Sequence, residues 1–376
     1  MNVIRTAIGL MSGTSMDGID VALIRTDGRS FIERGPFMGV PYDADFRGQL
    51  KRALEIARPL SDRNERPAEL RAIELELTLR HVIAVTAFME RFELLADGVD
   101  VLGFHGQTVL HRPDEGLTIQ IGDGPELAHR TGIAVVYDMR ANDMRAGGQG
   151  APLVPAYHAA LAHSLPPDYA GALPTVFVNI GGISNITYVG KGDPIAFDTG
   201  PGNALIDQWV AREGGVPFDA DGAIASEGGV VGAVVARYLD KPFFAKPGPK
   251  SLDRSDFTLA EAGGLELADG ARTLAAVSAA AILKSVELLP LPPKLWIVGG
   301  GGRKNPHIVG DLRDGAKAAG AEVILAEDAG LRGDFIEAEA WAYLAARSLK
   351  GLPLTFPSTT GCKAPTTGGV LVRPQG

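Results

Sequence analysis

The densest run of side chains able to do chemistry lies at residues 138–152. It contains two aspartates, Asp138 and Asp143, together with two arginines and three glycines. Carboxylates act as general acids or bases, while guanidinium groups and glycine-rich backbone bind anions. Because the apolar segment 133–136 before it predicts a strand, the run lies at a strand end. The pattern favours an acid–base site with anion-binding neighbours over a domain-linking loop with surface ion pairs.

Three glycine clusters supply further positions at which backbone could approach a ligand. Two polar turns, at 12–18 and 179–185, place successive backbone N–H groups where phosphate oxygens could bind. Ordinary hairpin turns would explain these two clusters equally well. The third cluster, at 299–302, lies between a predicted strand and a helix, and four consecutive glycines there favour ligand contact over a plain turn.

The remaining candidate ligands are fewer. Asp198 lies at the end of a predicted strand, where a carboxylate can orient hydrated magnesium beside phosphates, while Asn203 can cap the helix that follows. The histidines lack the spacing of a zinc site, and His105 is interpreted as polar lining. Cys362 is the only cysteine, which excludes an intramolecular disulfide and favours a reducing compartment.

The composition is that of a globular protein with two domains. A chain of 376 residues exceeds what one hydrophobic core usually supports. The formal net charge of -9 and a pI near 5.4 offer no basic surface to a phosphate backbone, so no nucleic-acid partner is expected. The sequence shows neither a secretory signal nor an apolar run of about 20 residues, the length of a membrane span. We therefore expect a soluble, cytoplasmic protein with no membrane partner.

Hydrophobic periodicity predicts two modules, each beginning with a glycine-punctuated meander of strands. For the first module it predicts strands at 3–10, 19–25, 31–40 and 99–104 and helices at about 44–59 and 66–95. For the second it predicts strands at 176–182, 184–189, 195–198 and 294–298 and helices at about 204–213, 271–289 and 335–349. The repeated pattern favours two α/β domains facing one cleft.

The motifs, taken in order, point to a family that lacks the common nucleotide fingerprints. The sequence has no P-loop, no G-x-G-x-x-G turn after a strand and no protein-kinase motif set. Seven segments across nearly the whole chain instead resemble the 1,6-anhydro-N-acetylmuramic acid kinase family. They are 9–20, His105-Gly106-Gln107-Thr108, Gln120-Ile121-Gly122-Asp123, 147–155, Asn179-Ile180-Gly181-Gly182, 198–203 and 299–306.

This resemblance implies a fold and a domain arrangement. The family belongs to the superfamily of acetate and sugar kinases, heat-shock chaperones and actin, so it implies an α/β fold of two duplicated actin-like (ribonuclease H-like) domains with an interdomain cleft. We expect the N-terminal actin-like domain at 1–128 plus 350–376 and the C-terminal one at 129–349. The domains are expected to close when sugar and nucleotide are both bound.

The resemblance also implies a reaction. Family members convert 1,6-anhydro-N-acetylmuramic acid, ATP and water to N-acetylmuramic acid 6-phosphate and ADP, a step of peptidoglycan recycling. The aspartate before the Gly-Gly-Gln-Gly-Ala-Pro run, Asp143 here, is implied as the base that activates water. ATP and Mg²⁺ are the implied cofactors, and a homodimer is compatible with the sequence.

The same resemblance assigns the remaining site residues. The implied ATP-binding residues are Gly13, Thr14, Ser15, Met16, Asp17, Gly18, Ile19, Asp20, Asn179, Gly181, Gly182, Gly300, Gly301, Gly302 and Asn305. The implied sugar-binding residues are His105, Gln107, Gln120, Asp123, Arg140 and Glu337. Asp198 is expected to meet the metal through water.

Two other functions compete with this interpretation. A kinase of the same superfamily for another sugar would keep the nucleotide clusters but change the loop at 138–150, and the match of that loop argues against it. An ATP-gated binding or chaperone-like protein would need a further substrate-binding domain, and only about 25 residues follow the last predicted helix. A product that has gained both water and phosphate would identify the hydrolytic kinase.

Overall fold

A computed structural model describes residues 3–13, 15–253, 256–333 and 335–374. Its β-strands are β1 (Arg5–Met11), β2 (Gly18–Thr26), β3 (Ile32–Pro41), β4 (Val101–Phe104), β5 (Gln107–Arg112), β6 (Leu117–Ile121), β7 (Val135–Tyr137), β8 (Thr175–Ile180), β9 (Ile183–Val189), β10 (Ile195–Pro201), β11 (Leu295–Gly299), β12 (Glu322–Leu325) and β13 (Val370–Val372). Its α-helices are α1 (Ala44–Ala57), α2 (Ala68–Arg91), α3 (Gly124–Thr131), α4 (Ala141–Arg145), α5 (Pro155–Ala162), α6 (Ala204–Gly214), α7 (Gly232–Leu239), α8 (Leu267–Lys284), α9 (Pro306–Ala318), α10 (Ile336–Leu349) and α11 (Pro357–Thr360).

The chain forms two compact units, each with its own hydrophobic core. The first unit consists of Met1–Ser164 with Asp334–Gly376, and the second consists of Leu165–Gly333. Buried aliphatic and aromatic side chains of β1, β2 and α2 dominate the core of the first unit. Those of β8, β11, α6 and α8 dominate the core of the second.

The sheets of the two units share a five-strand order, to which the first unit adds the antiparallel edge strand β13. In the first, the strand order is β13-β7-β4-β1-β2-β3, and in the second it is β10-β9-β8-β11-β12. Each sheet begins with an antiparallel meander whose first strand also pairs in parallel with a later strand, β1 with β4 and β8 with β11. The repeated order, meander followed by parallel strands, is the ribonuclease H-like arrangement, and it confirms the duplicated α/β fold expected from the sequence.

The unit boundaries differ from the expected domain boundaries at 128 and 349. Strand β7 pairs in parallel with β4, so the chain beyond residue 128 remains in the first sheet. Helix α10 packs on the same sheet. An added Cβ at Gly9 would lie 1.8 Å from the carbonyl oxygen of Ala338, and one at Gly103 would lie 2.1 Å from that of Trp341. The first unit therefore includes both 129–164 and α10.

The strands of both meanders lie within a few residues of their predicted positions, and so do the predicted helices that follow them. Several elements had no clear periodic signal, among them the hairpin β5–β6, the short helices α3, α5 and α11, and the edge strand β13. Within the described residues, no helix combines the length and the apolar character that a membrane crossing requires.

Replacing Gly103 with Ala tests the close approach of α10 to β4. Because the new methyl group would collide with helix backbone rather than with a mobile side chain, we expect Gly103→Ala to lower the free energy of unfolding by about 3 kcal/mol. Gly48→Ala in α1 is the control: its Cβ meets nothing within 4 Å, so the variant should gain about 0.5–1 kcal/mol. Urea denaturation measures both, and wild-type stability of Gly103→Ala would contradict the packing described.

Candidate functional site

A cavity of about 470 Å³ in the first unit brings several predicted residues together. We call it the Arg140 cavity. Its lining comes from the end of β1, the β4–β5 region, the start of α4 and the first turn of α10. The lining residues are Met11, Gly13, Ser15, His105, Thr108, His111, Arg140, Ala151 and Glu337. Residues predicted to bind nucleotide and residues predicted to bind sugar therefore line the same cavity, and Glu337 contributes a carboxylate to it.

Arg140 and His105 form the polar centre of this cavity. The His105 Nδ1 atom lies 2.9 Å from the Ser12 carbonyl oxygen and 2.8 Å from that of Gly106, so Nδ1 carries the proton. The Nε2 atom is then the acceptor for Arg140 Nη2 at 3.2 Å. Burial, and after it the positive charge of Arg140, lowers the pKa of His105 to about 3. His105 is therefore a neutral ring at physiological pH.

The Arg140 guanidinium group keeps donor capacity toward the cavity. Its Nη1 donates to the Gly150 carbonyl oxygen at 2.8 Å, while its buried Nε has no hydrogen-bond partner among the described residues. Burial lowers the pKa of Arg140 to about 10, against the opposing effect of the Glu337 and Asp143 charges. The group is a cation at neutral pH, and the cavity is suited to an oxygen-rich or anionic ligand.

Buried polar side chains form hydrogen bonds that support the predicted phosphate turn of the first unit. Ser12 Oγ donates to Gln107 Oε1 at 2.7 Å, and Gln107 Nε2 donates to the Gly13 carbonyl oxygen at 3.1 Å. Gln107 is fully buried, so the structure places it beneath the turn and not in the cavity wall. Thr14 lies outside the described residues.

The rest of this turn runs into strand β2. Ser15 Oγ donates to Asp17 Oδ1 at 2.8 Å, and Met16 has a left-handed φ of 55°. Gly18, Ile19 and Asp20 are already part of β2, paired with β3. The described part of the predicted segment is therefore a turn at 15–17 followed by regular strand from Gly18.

Asp143 is a buried carboxylate on α4, one helical turn from Arg140. It is 1% exposed, and each of its oxygens accepts a hydrogen bond of 2.7 Å, Oδ1 from Thr360 Oγ1 and Oδ2 from the Gly150 backbone N–H. A Cβ at Gly148 would lie 2.2 Å from Oδ2. Glycine at position 148 is thus required for the backbone to pass this close to the carboxylate.

Gln120 and Asp123 line a different cavity of about 310 Å³, which shares His105 with the first one. We call it the Gln120 cavity. Gln120 Nε2 donates to the His105 carbonyl oxygen at 3.0 Å, and Asp123 caps α3 by accepting from the Glu126 backbone N–H. Gln120 Oε1 is buried without a hydrogen-bond partner in the described structure. The structure thus divides the predicted sugar residues between two cavities.

The second unit brings its predicted glycine turns into contact. A Cβ at Gly300 would lie 2.4 Å from Asn179 Oδ1, and one at Gly302 would lie 2.2 Å from Ile180 Cγ2. The turn at 181–182 is tied to the start of α6, because the Asn203 backbone N–H donates to the Gly181 carbonyl oxygen at 2.8 Å. The glycines after β11 therefore allow that strand end to pack on the β8 turn.

Asn305 and Asp198 have other contacts in this unit. Asn305 is buried and caps α9, with its side-chain oxygen 3.0 Å from the His307 backbone nitrogen. Asp198 Oδ2 accepts from the Leu252 backbone N–H at 2.8 Å, and burial raises the pKa of Asp198 to about 6. No group of three or more His, Cys, Asp or Glu side chains in the described parts of the chain is placed to hold a metal ion.

Sequence reasoning missed three residues that support these sites. The Tyr42 hydroxyl lies 2.9 Å from Ser12 Oγ beside the predicted phosphate turn. The Trp341 ring packs at a tilt against His105, with ring centroids 4.8 Å apart, and Thr360 donates a hydrogen bond to Asp143. Thr360 lies 217 residues from Asp143, and no local pattern links the two. For Thr360, the sequence offers the polar run Ser358-Thr359-Thr360-Gly361 as a signal, and that run does not indicate a contact with Asp143.

Two sheets with the ribonuclease H-like strand order, each with a polar glycine turn after its first strand, define a protein with the duplicated actin-like fold. A family model described as anhydro-N-acetylmuramic acid kinase matches residues 5–374. Relatives of that name are 68% identical over 375 residues in Rhizobium johnstonii and 67% identical over 375 residues in Rhizobium etli, with 100% of both chains covered in each case. A relative from Agrobacterium fabrum is 57% identical over 374 residues, covering 99% of this chain and 100% of its own. The chain belongs to the anhydro-N-acetylmuramic acid kinase family.

The His105 ring should remain neutral, with its proton on Nδ1, at pH 5. The reason is that its folded pKa, about 3, lies below the ordinary value of 6.5, so protonation begins only at much lower pH. Nitrogen-15 NMR of labelled histidine measures this. Arg140→Met should raise the pKa of His105, since it removes a positive neighbour. A doubly protonated His105 ring at pH 5 in the folded wild-type protein would contradict the geometry.

Proposed function

We propose that the chain catalyses the ATP-dependent conversion of 1,6-anhydro-N-acetylmuramic acid and water to N-acetylmuramic acid 6-phosphate and ADP, within cell-wall recycling. The observation that carries the proposal is the carboxylate of Asp143. It is buried, held at both oxygens and one helical turn from cavity-lining Arg140. It occupies the sequence position of the family's implied base, in a chain that matches the family over residues 5–374.

The proposed reaction couples ring opening to phosphoryl transfer. Asp143 takes a proton from a water molecule whose oxygen bonds to C1 of the sugar, while the bond from C1 to O6 breaks. O6 then bonds to the γ-phosphorus as the bond to the ADP oxygen breaks. Because phosphorus captures O6, the leaving oxygen needs no separate general acid, unlike in a two-carboxylate glycosidase.

The hydrogen bonds of Asp143 leave room for this step. A carboxylate has about four acceptor positions, and Thr360 and Gly150 each use one. The remaining positions can accept a proton from water. Because Asp143 is nearly inaccessible in the structure, we propose that a small local opening admits a single water molecule while the hydrogen bonds from Thr360 and Gly150 are kept.

The proposed sugar contacts come from both cavities. Arg140, His105 and Glu337 meet in the Arg140 cavity, where a cation, a neutral ring and a carboxylate can bind ring oxygens and hydroxyl groups. Gln120 and Asp123 line the Gln120 cavity, and the unpartnered Gln120 Oε1 is an acceptor for an N–H or O–H group of the substrate. Gln107 supports the turn at 12–13.

The proposed ATP contacts involve backbone more than side chains. In the first unit they are Gly13, Thr14, Ser15, Met16, Asp17, Gly18, Ile19 and Asp20, and in the second they are Asn179, Gly181, Gly182, Gly300, Gly301, Gly302 and Asn305. Side chains at Gly300 and Gly302 are excluded sterically, so these turns present backbone to a ligand, as phosphate-binding loops do.

Magnesium is proposed as the metal. Mg²⁺ usually keeps several waters and binds one or two carboxylates plus substrate phosphates. The donor set fits that mode: Asp198 is a single carboxylate with one oxygen committed to the Leu252 N–H, so it would hold the ion through water. When bound, the ion would neutralise charge on the transferring phosphoryl group.

Product mass tests the reaction. With ATP, magnesium and the anhydro sugar, the purified protein should form a product heavier than the sugar by one water plus one phosphoryl group. In ¹⁸O-labelled water, one label should enter the sugar at C1, because water attacks carbon and the phosphoryl group comes from ATP. A product that has gained phosphate but no water, or a product with the label in its phosphate group, would contradict the hydrolytic mechanism.

Asp143→Asn tests the base. Removing the proton acceptor while keeping the size should lower kcat by about 10² to 10⁴-fold, the usual range for a general base, with ATP binding retained. Glu337→Gln and Asp138→Asn are matched controls. Glu337 lines the cavity, and Asp138 pairs with Arg63, so their loss should raise the sugar KM or lower stability more than it lowers kcat. Near-normal turnover by folded Asp143→Asn would move the base elsewhere.

A further inference from the structure

We propose that Thr360 is a positioning residue for the Asp143 carboxylate, which makes the C-terminal segment 355–368 part of the catalytic machinery. The proposal rests on the base role of Asp143 proposed above. It assigns a function to a segment that sequence analysis placed in the first domain without any chemical role. The juxtaposition that carries it joins two residues 217 positions apart.

The contact is short, buried and directed at a charge acceptor. Thr360 Oγ1 lies 2.7 Å from Asp143 Oδ1, and Thr360 is 0% exposed. Among the described residues, the other acceptor near this hydroxyl is the Phe356 carbonyl oxygen, 3.5 Å away. A hydroxyl has one proton to donate, and the shorter contact to the carboxylate takes it. Because both residues are buried, loss of this donor would leave Oδ1 without its hydrogen bond from the described part of the chain, at a cost in free energy.

The two donors act on different oxygens, and this fixes the carboxylate plane. The Gly150 N–H bonds Oδ2 at 2.7 Å, while Thr360 bonds Oδ1. One donor alone would leave the carboxylate free to rotate about its last torsion, which is soft. Two donors on opposite oxygens hold the remaining acceptor positions in a constant direction, as a base must to meet its water.

Backbone hydrogen bonds keep Thr360 itself in register with the base loop. The Gln149 backbone N–H donates to the Thr360 carbonyl oxygen at 2.8 Å, and the Lys363 N–H donates to the Ala146 carbonyl oxygen at 3.1 Å. Asn142 Nδ2 donates to the Thr367 carbonyl oxygen at 2.6 Å. These bonds flank the side-chain contact on both sides, so movement of the C-terminal segment would be transmitted to the base.

The neighbouring residue provides a matched control. Thr359 lies in the same short helix and is 2% exposed, but its hydroxyl bonds the backbone N–H and carbonyl oxygen of Phe356 and not Asp143. Thr359→Val therefore removes a buried hydroxyl from the same helix without touching the base. A purely structural role for α11 would make the two threonines equivalent in turnover.

The test compares full-length variants in the kinase assay with saturating substrates. Thr360→Val should lower kcat about 10- to 100-fold, the loss that one hydrogen bond to a charged group represents, with the KM values for sugar and ATP within about twofold of wild type. Thr360→Ser should restore kcat to within about threefold, because it returns the donor. Thr360→Ala serves as the second hydroxyl-free variant should Thr360→Val fail to fold, as judged by circular dichroism.

The decisive arm is the Asp143→Asn background. Adding Thr360→Val to Asp143→Asn should lower kcat by less than about twofold, because the carboxylate that Thr360 positions is already gone. Full additivity of the two losses, an equal kcat loss in Thr359→Val, or wild-type kcat in folded Thr360→Val or Thr360→Ala would each overturn the positioning role. Failure of the base proposal is separate: it appears as activity of Asp143→Asn alone.

Discussion

Helix α10 lies closer to strands β1 and β4 than any residue with a β-carbon would permit. Gly9 and Gly103 are the points of contact, where an added Cβ would meet the helix backbone at 1.8 and 2.1 Å. Through this contact, the chain that follows the second unit packs again on the sheet of the first unit. It also places Glu337 and Trp341 against the polar centre of the Arg140 cavity. The cavity therefore depends on two glycines that do not line it.

Around that packing, the first unit arranges its polar groups in layers. Trp341 lies beside the His105 ring and beneath the Arg140 guanidinium group, 5.6 Å from ring centroid to the Arg140 Cζ. The neutral His105 ring in turn accepts from Arg140. Because buried polar groups that lack partners are costly, this chain of contacts fixes Arg140 in one orientation. The loop that follows α4 packs against Asp143, and a side chain at Gly148 would collide with the carboxylate.

The second unit uses glycine differently. Its turns at 179–182 and 300–302 pack on each other, so the absence of side chains serves internal packing as well as any ligand. The two explanations weighed from the sequence, hairpin turn and ligand contact, are therefore not exclusive. Turns without side chains can in general also present backbone N–H groups to an anion.

The sequence by itself determined the duplicated α/β pattern, because alternation and helical periodicity are local consequences of which face is buried. It also located the polar loop at 138–152 and the glycine turns, since such residues are required by turns and close approaches. The resemblance of seven ordered motifs predicted the family, which the match over residues 5–374 confirms.

Only the tertiary structure decided which distant residues meet. The unit boundaries depend on β7 and α10 joining a sheet formed far earlier in the chain. The bond from Thr360 to Asp143 spans 217 residues. The division of the predicted sugar-binding residues between two cavities follows from where β4 and β6 end and where α4 begins. None of these has a local pattern, because a hydrogen bond or a steric contact depends on distance in space and not on separation along the chain.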